Sequence, residues 1–313
     1  MIGVALSTQG LVKSYGRRRA LDGFTLSVPR GSVLGLVGPN GAGKTTWMMT
    51  VAGMILPTSG TIDLLGRGAF DADIHAGTLG FLPQDSELPL EATPTSLLHR
   101  YARLQGLSRQ EAQRATAEML GAVNLAERAS SPIRTLSHGM RKRVALAQSF
   151  LGSPEVVLLD EPLNGLDPVE ADRVRQFLLA RRGRQTIIIS SHNLHDVETL
   201  CTHVAFVSQG KVARMDTLHT LTRASERVVY TLGEGGDPAA LEAALAVVLP
   251  TAQFSWRTDT ELVCECALEG GVAEINRRLL PVLVTQVPLI SVATGVSLEE
   301  IALSVANTEK SRP

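Results

Sequence analysis

The chain has 313 residues, of which 44% are hydrophobic and 19% are charged, and its formal net charge is -1. This composition is ordinary for a folded protein of about two domains and excludes a disordered or fibrous chain. The small net charge gives no reason to expect a nucleic-acid partner.

The sequence shows neither a secretory leader nor a membrane-spanning run. Its first residues, MIGVALSTQG, lack a basic stretch followed by a long apolar core, and no segment approaches roughly 18 consecutive apolar residues. The three cysteines suit a reducing cytosol, since the pair Cys264 and Cys266 fits neither a disulfide framework nor a zinc spacing. We therefore expect any action at a membrane to depend on a partner.

The first part of the chain favours β-structure. Leu11–Tyr15 and Phe24–Val28 alternate apolar and polar residues, which predicts two strands. The ring of Tyr15 could stack on a base or be half buried in its strand. The run Arg17–Arg19 fits a solvated turn, with a phosphate or lipid contact as the alternative.

Residues 38–46, GPNGAGKTT, form the most informative motif. The fixed positions of the phosphate-loop pattern G-x-x-x-x-G-K-[ST] are filled by Gly38, Gly43, Lys44 and Thr45. The apolar run Val33–Val37 before the motif predicts a buried strand, and Thr46–Ile55 after it predicts a helix.

Polyphosphate chemistry explains these residue types. Glycines allow positive φ and can turn backbone N–H groups onto phosphate oxygens, and the helix N-terminus favours the same anion. Lys44 is expected to reach the β- and γ-phosphates, and the Thr45 hydroxyl to ligate Mg²⁺. We interpret the segment as a nucleotide site rather than as a glycine-rich turn with a solvated lysine.

The middle of the chain reads as strands followed by helices. Thr61–Leu65 and Leu79–Gln84 are predicted strands, and residues 94–127 have helical periodicity. Ser108 followed by Glu111 predicts a capping box. Farther on, Ser137 is a natural N-cap for an amphipathic helix, so a second helix N-terminus is expected to point outward.

Two apolar strands end in residues suited to hydrolysis. Val156–Glu161 ends in two carboxylates, of which Asp160 would hold Mg²⁺ through its water shell and Glu161 would polarise the attacking water. The alternative is a solvated pair at a strand end. A helix is predicted at Val169–Leu179, and the strand Thr186–Ser191 delivers His192 at its end.

The last part of the chain, after the strand Val204–Val207, carries no catalytic motif. Its predicted order of strand, helix, two strands, helix and strand suggests a small ferredoxin-like domain. The predicted elements are Val228–Leu232, Pro238–Val248, Gln253–Thr258, Glu261–Ala267, Val272–Val284 and Leu289–Thr294, followed by a helix at Leu298–Val305. Cys264 and Cys266 alternate along one strand and are expected to be buried.

Together these motifs resemble the nucleotide-binding subunit of an ABC transporter. Residues 38–46 are similar to the Walker A motif, Val156–Glu161 to Walker B plus the catalytic glutamate, and Leu136–Met140 to the LSGGQ signature. The adenine-stacking aromatic, the Q-loop glutamine, the D-loop aspartate and the switch histidine are matched by Tyr15, Gln84, Asp167 and His192. All seven features occur in the family's order over roughly residues 5–220.

The resemblance implies an α/β fold, a phosphate-loop NTPase of ABC type with a mixed β-subdomain, a parallel-sheet core and a helical subdomain at about 86–152. It places the ATPase domain at residues 1–220 and leaves 221–313 as a small α+β accessory domain. Catalysis is implied for Glu161, His192 and Lys44. Mg²⁺ binding is implied for Thr45, Gln84 and Asp160. ATP binding is implied for Tyr15, Gly38, Asn40, Gly41, Gly43, Lys44, Thr45, Thr46, Gln84, Ser137, Gly139 and Asp167.

The signature departs from the family's pattern. It reads LSHGM, with His138 in place of a glycine and Met140 in place of the glutamine. Ser137 and Gly139, which in the family bring a hydroxyl and an N–H group to the γ-phosphate, are kept. Because a helix N-terminus contacts anions mainly through its backbone, we expect this site to be competent. Met140 cannot make the hydrogen bonds of a glutamine amide. This form of signature resembles the ABC-2-type exporters.

The resemblance also implies partners. Two nucleotide-binding domains pair head to tail, with ATP between the phosphate loop of one and the signature of the other. One chain carries one copy of each motif, so a second nucleotide-binding subunit is implied, as a homodimer or with a related chain. An integral membrane permease is implied as a separate chain that docks near the Q-loop. The expected location is cytoplasmic, peripheral on the inner face of the cell membrane.

Two other functions are consistent with a phosphate loop of this type. A non-transport ABC ATPase could act on ribosomes or DNA, but such proteins carry two cassettes with a basic linker or a long coiled coil, and this chain has neither pattern. A regulatory half of an asymmetric pair is the other alternative. Against it, the catalytic positions Lys44, Asp160, Glu161 and His192 are all present.

Overall fold

A computed structural model describes residues 3–223, 227–233, 237–266, 268, 271–294, 298–299 and 301. These residues divide into two compact units, one ending at Thr217 and the other beginning at Leu218. The expected boundary at 220/221 lies close to this division. The assignment of an activity to each unit stays a prediction.

The first unit begins with a three-stranded antiparallel sheet. It consists of β1 (Val4–Tyr15), β2 (Arg18–Pro29) and β4 (Ser59–Leu64) in the order β2-β1-β4. Alternate residues of β2, namely Phe24, Leu26 and Val28, are buried, as expected for a strand with one face on a core. The ring of Phe24 stacks on Trp47 with centroids 5.6 Å apart.

A six-stranded sheet forms the centre of the first unit. Its members, in chain order, are β3 (Val33–Val37), β5 (Leu79–Leu82), β6 (Val156–Asp160), β7 (Thr186–Ser191), β8 (His203–Ser208) and β9 (Lys211–Thr217). The spatial order is β5-β6-β7-β3-β8-β9, and all neighbours run parallel except β9, which is antiparallel to β8. Parallel strands covered on both faces are apolar throughout, and every residue of β3 and β6 is buried.

In the described residues, the first unit has six α-helices: α1 (Lys44–Val51), α2 (Pro94–Leu104), α3 (Arg109–Ala122), α4 (His138–Ser149), α5 (Pro168–Leu179) and α6 (Leu194–Leu200). Helices α2 to α4 are inserted between β5 and β6. The capping box of α3 is confirmed, because the Ser108 hydroxyl accepts the N–H of Glu111 and the Glu111 carboxylate accepts the N–H of Ser108. The cap of α4 by Ser137 is confirmed as well.

Several boundaries differ from the predicted ones. Helix α1 ends at Val51 rather than Ile55, since Gly53 takes a positive φ of 72° that stops the helix. Arg18 and Arg19 begin β2, so the turn is limited to Gly16 and Arg17. Strand β9 and helix α6 were not predicted, because β9 is a polar edge strand and α6 has only 7 residues.

Within its described residues, the second unit consists of a four-stranded antiparallel sheet, two long helices and one short helix. Its elements are α7 (Leu218–Arg223), β10 (Arg227–Leu232), α8 (Pro238–Val248), β11 (Gln253–Thr258), β12 (Glu261–Glu265), α9 (Gly271–Gln286) and β13 (Leu289–Thr294). From β10 on, the predicted element order βαββαβ is observed, and the sheet order β11-β12-β10-β13 places its first and third strands in the middle. The predicted helix 298–305 lies mostly outside the described residues.

The core of the second unit lies between its helices and one face of its sheet. Leu245 of α8 and Leu279 of α9 are buried with Tyr230 and Cys264. Burial raises the pKa of the Cys264 thiol to about 12. The predicted burial of Cys264 and Cys266 is therefore confirmed. Among the helices of the described ranges, none is both long and apolar enough to cross a bilayer.

Candidate active site

At two positions, the loop between β3 and α1 has room only for glycine. Gly43, at the N-terminus of α1, has a φ of 110°, and a Cβ there would lie 2.7 Å from the carbonyl oxygen of Ala20. A Cβ on Gly38 would lie 2.1 Å from the carbonyl oxygen of Val207. Both positions therefore exclude a side chain, and the loop wraps the start of α1 as an anion-binding turn does.

Lys44 lies folded over this loop. Lys44 is 6% exposed, and its Nζ donates to the carbonyl oxygens of Gly38 at 2.6 Å and Pro39 at 3.2 Å. Burial lowers the pKa of Lys44, and the nearby carboxylates of Glu161 and Asp160 oppose this shift. The lysine thus places a positive charge between the loop and the acidic end of β6.

The carboxyl ends of β6 and β7 hold the acidic residues. Asp160, the last residue of β6, pairs in register with Ser190 of β7 and is fully buried. The Ser190 hydroxyl donates to Oδ1 of Asp160. Oδ2 of Asp160 is also buried, and it has no hydrogen-bond partner among the residues that the structure describes.

Glu161 follows in an uncommon backbone conformation, with a φ of 48°. Its N–H donates to the Ser190 hydroxyl at 2.9 Å, and its Oε2 lies 2.9 Å from Nδ1 of His192. The Glu161 side chain is 10% exposed and that of His192 is 56% exposed. The exposed ring of His192 thus contacts the shielded carboxylate of Glu161. This arrangement is expected of a carboxylate that activates water.

Lys44, Asp160 and Glu161 line one cleft of about 470 Å³, whereas His192 lines a neighbouring cavity that also includes Glu161. The described lining of the cleft consists of Tyr15, Arg18, Ala20, Asn40, Gly41, Ala42, Gly43, Lys44, Thr45, Thr46, Gln84, Asp160 and Glu161. Tyr15 is 52% exposed at the edge of the cleft. The phosphate loop, the predicted base-stacking ring and the acidic pair therefore share one space.

Three other predicted residues stand at helix starts, and the described lining of the cleft does not include them. Ser137 caps α4 and accepts the N–H of Met140 at 3.2 Å, and the side chain of Asp167 caps α5. Gly139 is buried against Glu170, whose Cγ would lie 2.7 Å from a Cβ at position 139. Ser137 and Asp167 are exposed.

A second cavity, of about 590 Å³, lies beside the start of α4. Its described lining consists of Gln84, Asp85, Ser86, Glu87, Leu88, Leu90, His138, Arg141 and Lys142. Burial lowers the pKa of Lys142, and the carboxylates of Asp85, Asp160 and Glu161 oppose the shift. Gln84 lines both this cavity and the cleft of the phosphate loop.

Two lining residues have contacts that the motifs did not predict. Arg18 belongs to the cleft rather than to a solvated turn, and a Cβ on Gly41 would lie 3.4 Å from its guanidinium. Ser190 touches both acidic residues. In the sequence, the position of Ser190 as a polar residue in the predicted buried strand Thr186–Ser191 could have indicated a role at the site.

The oxygen ligands of the cleft fit a magnesium ion. Asp160 offers a buried carboxylate oxygen without a hydrogen-bond partner in the described chain, and Thr45 and Gln84 line the same cleft. Carboxylate, hydroxyl and amide oxygens are the ligands that Mg²⁺ prefers. Together, the phosphate loop, the parallel sheet and the acidic strand end define a phosphate-loop nucleotide hydrolase.

Comparisons with known proteins agree with this class and identify one family within it. Residues 21–164 match the family described as ABC transporter. The chain is 36% identical over 227 residues to the uncharacterised ABC transporter ATP-binding protein YxlF of Bacillus subtilis (strain 168), covering 72% of this chain and 76% of that protein. It is 34% identical over 222 residues to Nod factor export ATP-binding protein I of Ralstonia nicotianae, covering 69% and 68%.

A solved ATP-binding subunit of an ABC transporter has the same fold. It superposes with a TM-score of 0.62 at 27% identity and covers 69% of this chain and 91% of its own length. The chain belongs to the family of ABC transporter ATP-binding subunits. It is accordingly an ATPase whose hydrolysis is coupled to transport, and the predicted fold class is confirmed.

Proposed function

We propose that this chain is the energy-supplying subunit of an exporter whose permease is a separate chain. One relative is named for Nod factor export, and the LSHGM form of the signature resembles the ABC-2-type exporters. The cleft that combines the phosphate loop with Asp160 and Glu161 carries the proposal, because binding and hydrolysis need both.

In the proposed binding mode, the phosphate loop holds the triphosphate. The N–H groups of residues 41–46 and the ammonium of Lys44 bind its oxygens, and Thr46 adds a hydroxyl. Tyr15 stacks on the adenine from the edge of the cleft. The proposed ATP contacts within the chain are Tyr15, Gly38, Asn40, Gly41, Gly43, Lys44, Thr45, Thr46 and Gln84.

Thr45, Gln84 and Asp160 are the residues proposed to hold Mg²⁺. When bound, the ion neutralises charge on the β- and γ-phosphate oxygens. Oδ2 of Asp160, buried and without a hydrogen bond among the described residues, is the oxygen best placed to face it.

Glu161 and His192 are proposed to serve the hydrolytic step. Glu161 accepts a proton from the attacking water, and His192 keeps Oε2 of that carboxylate in position through the 2.9 Å contact. Lys44 stabilises the negative charge that develops on the transferred phosphoryl group.

A second nucleotide-binding subunit, in the simplest case a second copy of this chain, completes the site. The N-terminus of α4, with the exposed Ser137 and the buried Gly139, is proposed to contact the γ-phosphate held by that subunit, and Asp167 is proposed to lie at the same interface. The 590 Å³ cavity beside Gln84 is the proposed docking place for the permease. The assembly would act on the cytoplasmic face of the cell membrane; residues 1–220 would form the ATPase domain and residues 221–313 an accessory domain.

ATP turnover of Glu161→Gln, with oligomeric state followed in ATP and Mg²⁺, tests the proposal. The amide cannot accept the proton, so we expect kcat to fall by about 100-fold or more while ATP-bound dimers accumulate. Glu155→Gln is the matched control, because this exposed residue directly precedes the same strand and pairs only loosely with Arg30 at 3.8 Å. Wild-type turnover that is unaffected by Glu161→Gln would contradict the proposal.

A further inference from the structure

Ser190 is a fully buried hydroxyl at the centre of the acidic site. Strand register brings it there, because β7 pairs in parallel with β6 and places Ser190 beside Asp160. Its oxygen makes two hydrogen bonds, one with the backbone N–H of Glu161 at 2.9 Å and one with Oδ1 of Asp160. Among the described residues, no other side chain forms hydrogen bonds with both Asp160 and Glu161.

The direction of these two hydrogen bonds follows from their chemistry. A backbone N–H can only donate, so Ser190 accepts from Glu161. The single hydroxyl proton is then free to be donated to Oδ1 of Asp160, which as a carboxylate oxygen accepts it. The two hydrogen bonds therefore run in one direction, from the backbone N–H of Glu161 to the Ser190 hydroxyl and from that hydroxyl to Asp160.

The first bond of this chain stabilises an unfavourable backbone. Glu161 has a φ of 48°, in the left-handed region that a residue with a side chain rarely adopts. Such conformations persist only where surrounding contacts hold them. Two contacts hold the Glu161 backbone: its N–H is bound by Ser190, and its carbonyl oxygen accepts the N–H of Asn164 at 3.2 Å.

The second bond leaves one carboxylate oxygen of Asp160 available. Oδ1 is bound by Ser190, whereas Oδ2 is buried and lacks a hydrogen-bond partner within the described ranges. A buried carboxylate oxygen without a partner is unfavourable unless a ligand satisfies it. Ser190 thereby decides which oxygen of Asp160 faces the metal position.

We propose that Ser190 is a positioning residue of the ATPase site: it orients the metal-facing carboxylate of Asp160 and fixes the backbone from which Glu161 reaches water. The inference rests on the proposed roles of Asp160 and Glu161. It adds a residue that touches neither nucleotide nor metal and acts through both acids.

The test compares Ser190→Ala with Ser190→Thr. Alanine removes both hydrogen bonds, whereas threonine keeps a hydroxyl in a β-strand. Loss of a residue that orients a metal ligand typically lowers metal affinity or activity by about 10- to 100-fold, so we expect a loss of that size in Ser190→Ala and partial recovery in Ser190→Thr. Ser149→Ala is the matched control, since Ser149 is also buried but donates to the carbonyl oxygen of Leu146 near the C-terminal end of α4.

Two measurements separate this role from a structural one. Mn²⁺ binding in the presence of a non-hydrolysable ATP analogue, followed by electron paramagnetic resonance, should weaken about 10-fold or more in Ser190→Ala. Steady-state kinetics should show the loss in kcat, with the KM for ATP changed less than about threefold, because the phosphate loop is untouched. Thermal unfolding should resemble that of Ser149→Ala.

The outcomes distinguish this inference from the proposed function. Mn²⁺ binding needs no turnover, so it tests Ser190 even if the wild type were inactive. If Glu161→Gln abolishes turnover while Ser190→Ala keeps wild-type kcat and Mn²⁺ affinity, the Ser190 inference alone is wrong. Equal losses in Ser190→Ala and Ser149→Ala would also overturn it, because both would then reflect damage to the fold.

Discussion

Single residues of the phosphate loop illustrate how backbone geometry limits the sequence. Gly43 combines a φ of 110° with a neighbouring carbonyl oxygen, that of Ala20, only 2.7 Å from where a Cβ would stand. A side chain would therefore strain the backbone and also clash with a group that cannot rotate away. The N–H groups of the loop can face an anion only while this conformation holds.

We predict that Gly43→Ala abolishes nucleotide binding and that Gly121→Ala does not. Gly121 lies in α3, and a Cβ there would meet no heavy atom within 4 Å. Alanine at position 121 should raise the free energy of unfolding by about 0.5–1 kcal/mol, because it lowers the entropy of the unfolded chain. Titration with a fluorescent ATP analogue and urea unfolding measure the two effects. Tight ATP binding by Gly43→Ala would contradict the geometry of the loop.

At the scale of elements, a buried ion pair joins the helix that begins with the signature to the helix that begins with Asp167. Nε of Arg143 on α4 lies 2.7 Å from Oε2 of Glu170 on α5, although the angle there is not that of a hydrogen bond; Nη2 donates to Oε1 at 3.3 Å. Arg143 also donates to the carbonyl oxygens of Val123 and Asn124 after α3. Gly139 allows Glu170 to approach α4 closely. The pair therefore sets how the two helix N-termini lie relative to each other.

We predict that Arg143→Met lowers the free energy of unfolding by about 3–5 kcal/mol, because it leaves the buried Glu170 carboxylate poorly compensated. Arg173→Met is the matched control: Arg173 binds the same carboxylate at 2.8 Å, but its side chain is 45% exposed, so we expect a loss of about 1 kcal/mol or less. The double variant Arg143→Met with Glu170→Met should be more stable than Arg143→Met alone. Urea unfolding of the four proteins provides the comparison, and equal losses in the two single variants would show that burial does not decide the effect.

At the scale of the whole molecule, the proposed site is divided between two chains. The cleft gathers the phosphate loop and the acidic pair, whereas Ser137 is exposed at a helix start that the described lining of the cleft does not include. Helix N-termini that bind anions leave their N–H groups free to face the ligand. An ATP-dependent dimer would bring such a terminus to the γ-phosphate held by the other chain.

We predict that Ser137→Asp folds and binds ATP but neither dimerises nor hydrolyses it. Aspartate is as good an N-cap as serine, so α4 should be kept, whereas its charge would repel the γ-phosphate held by the other subunit. Lys44→Ala should also be inactive, for the separate reason that its own phosphate loop fails. Mixing the two variants should restore turnover, because each mixed dimer has one intact phosphate loop facing one intact signature. Size-exclusion chromatography and ATPase assays follow the result, and full turnover by Ser137→Asp alone would exclude the shared site.

The sequence by itself determined the structural features that depend on residues close together in the chain. The phosphate loop, the apolar strands ending at Asp160 and Ser191, and the caps of α3 and α4 all follow from short patterns of polarity, glycine and hydrogen-bonding side chains. The tertiary structure alone decided which strands lie side by side, and with them the contacts of Ser190 with Asp160 and Glu161. It also decided that Glu170 packs on Gly139 and that Arg18 lines the cleft. These contacts join residues far apart in the chain, and their geometry depends on strand register and helix packing, which no local pattern encodes.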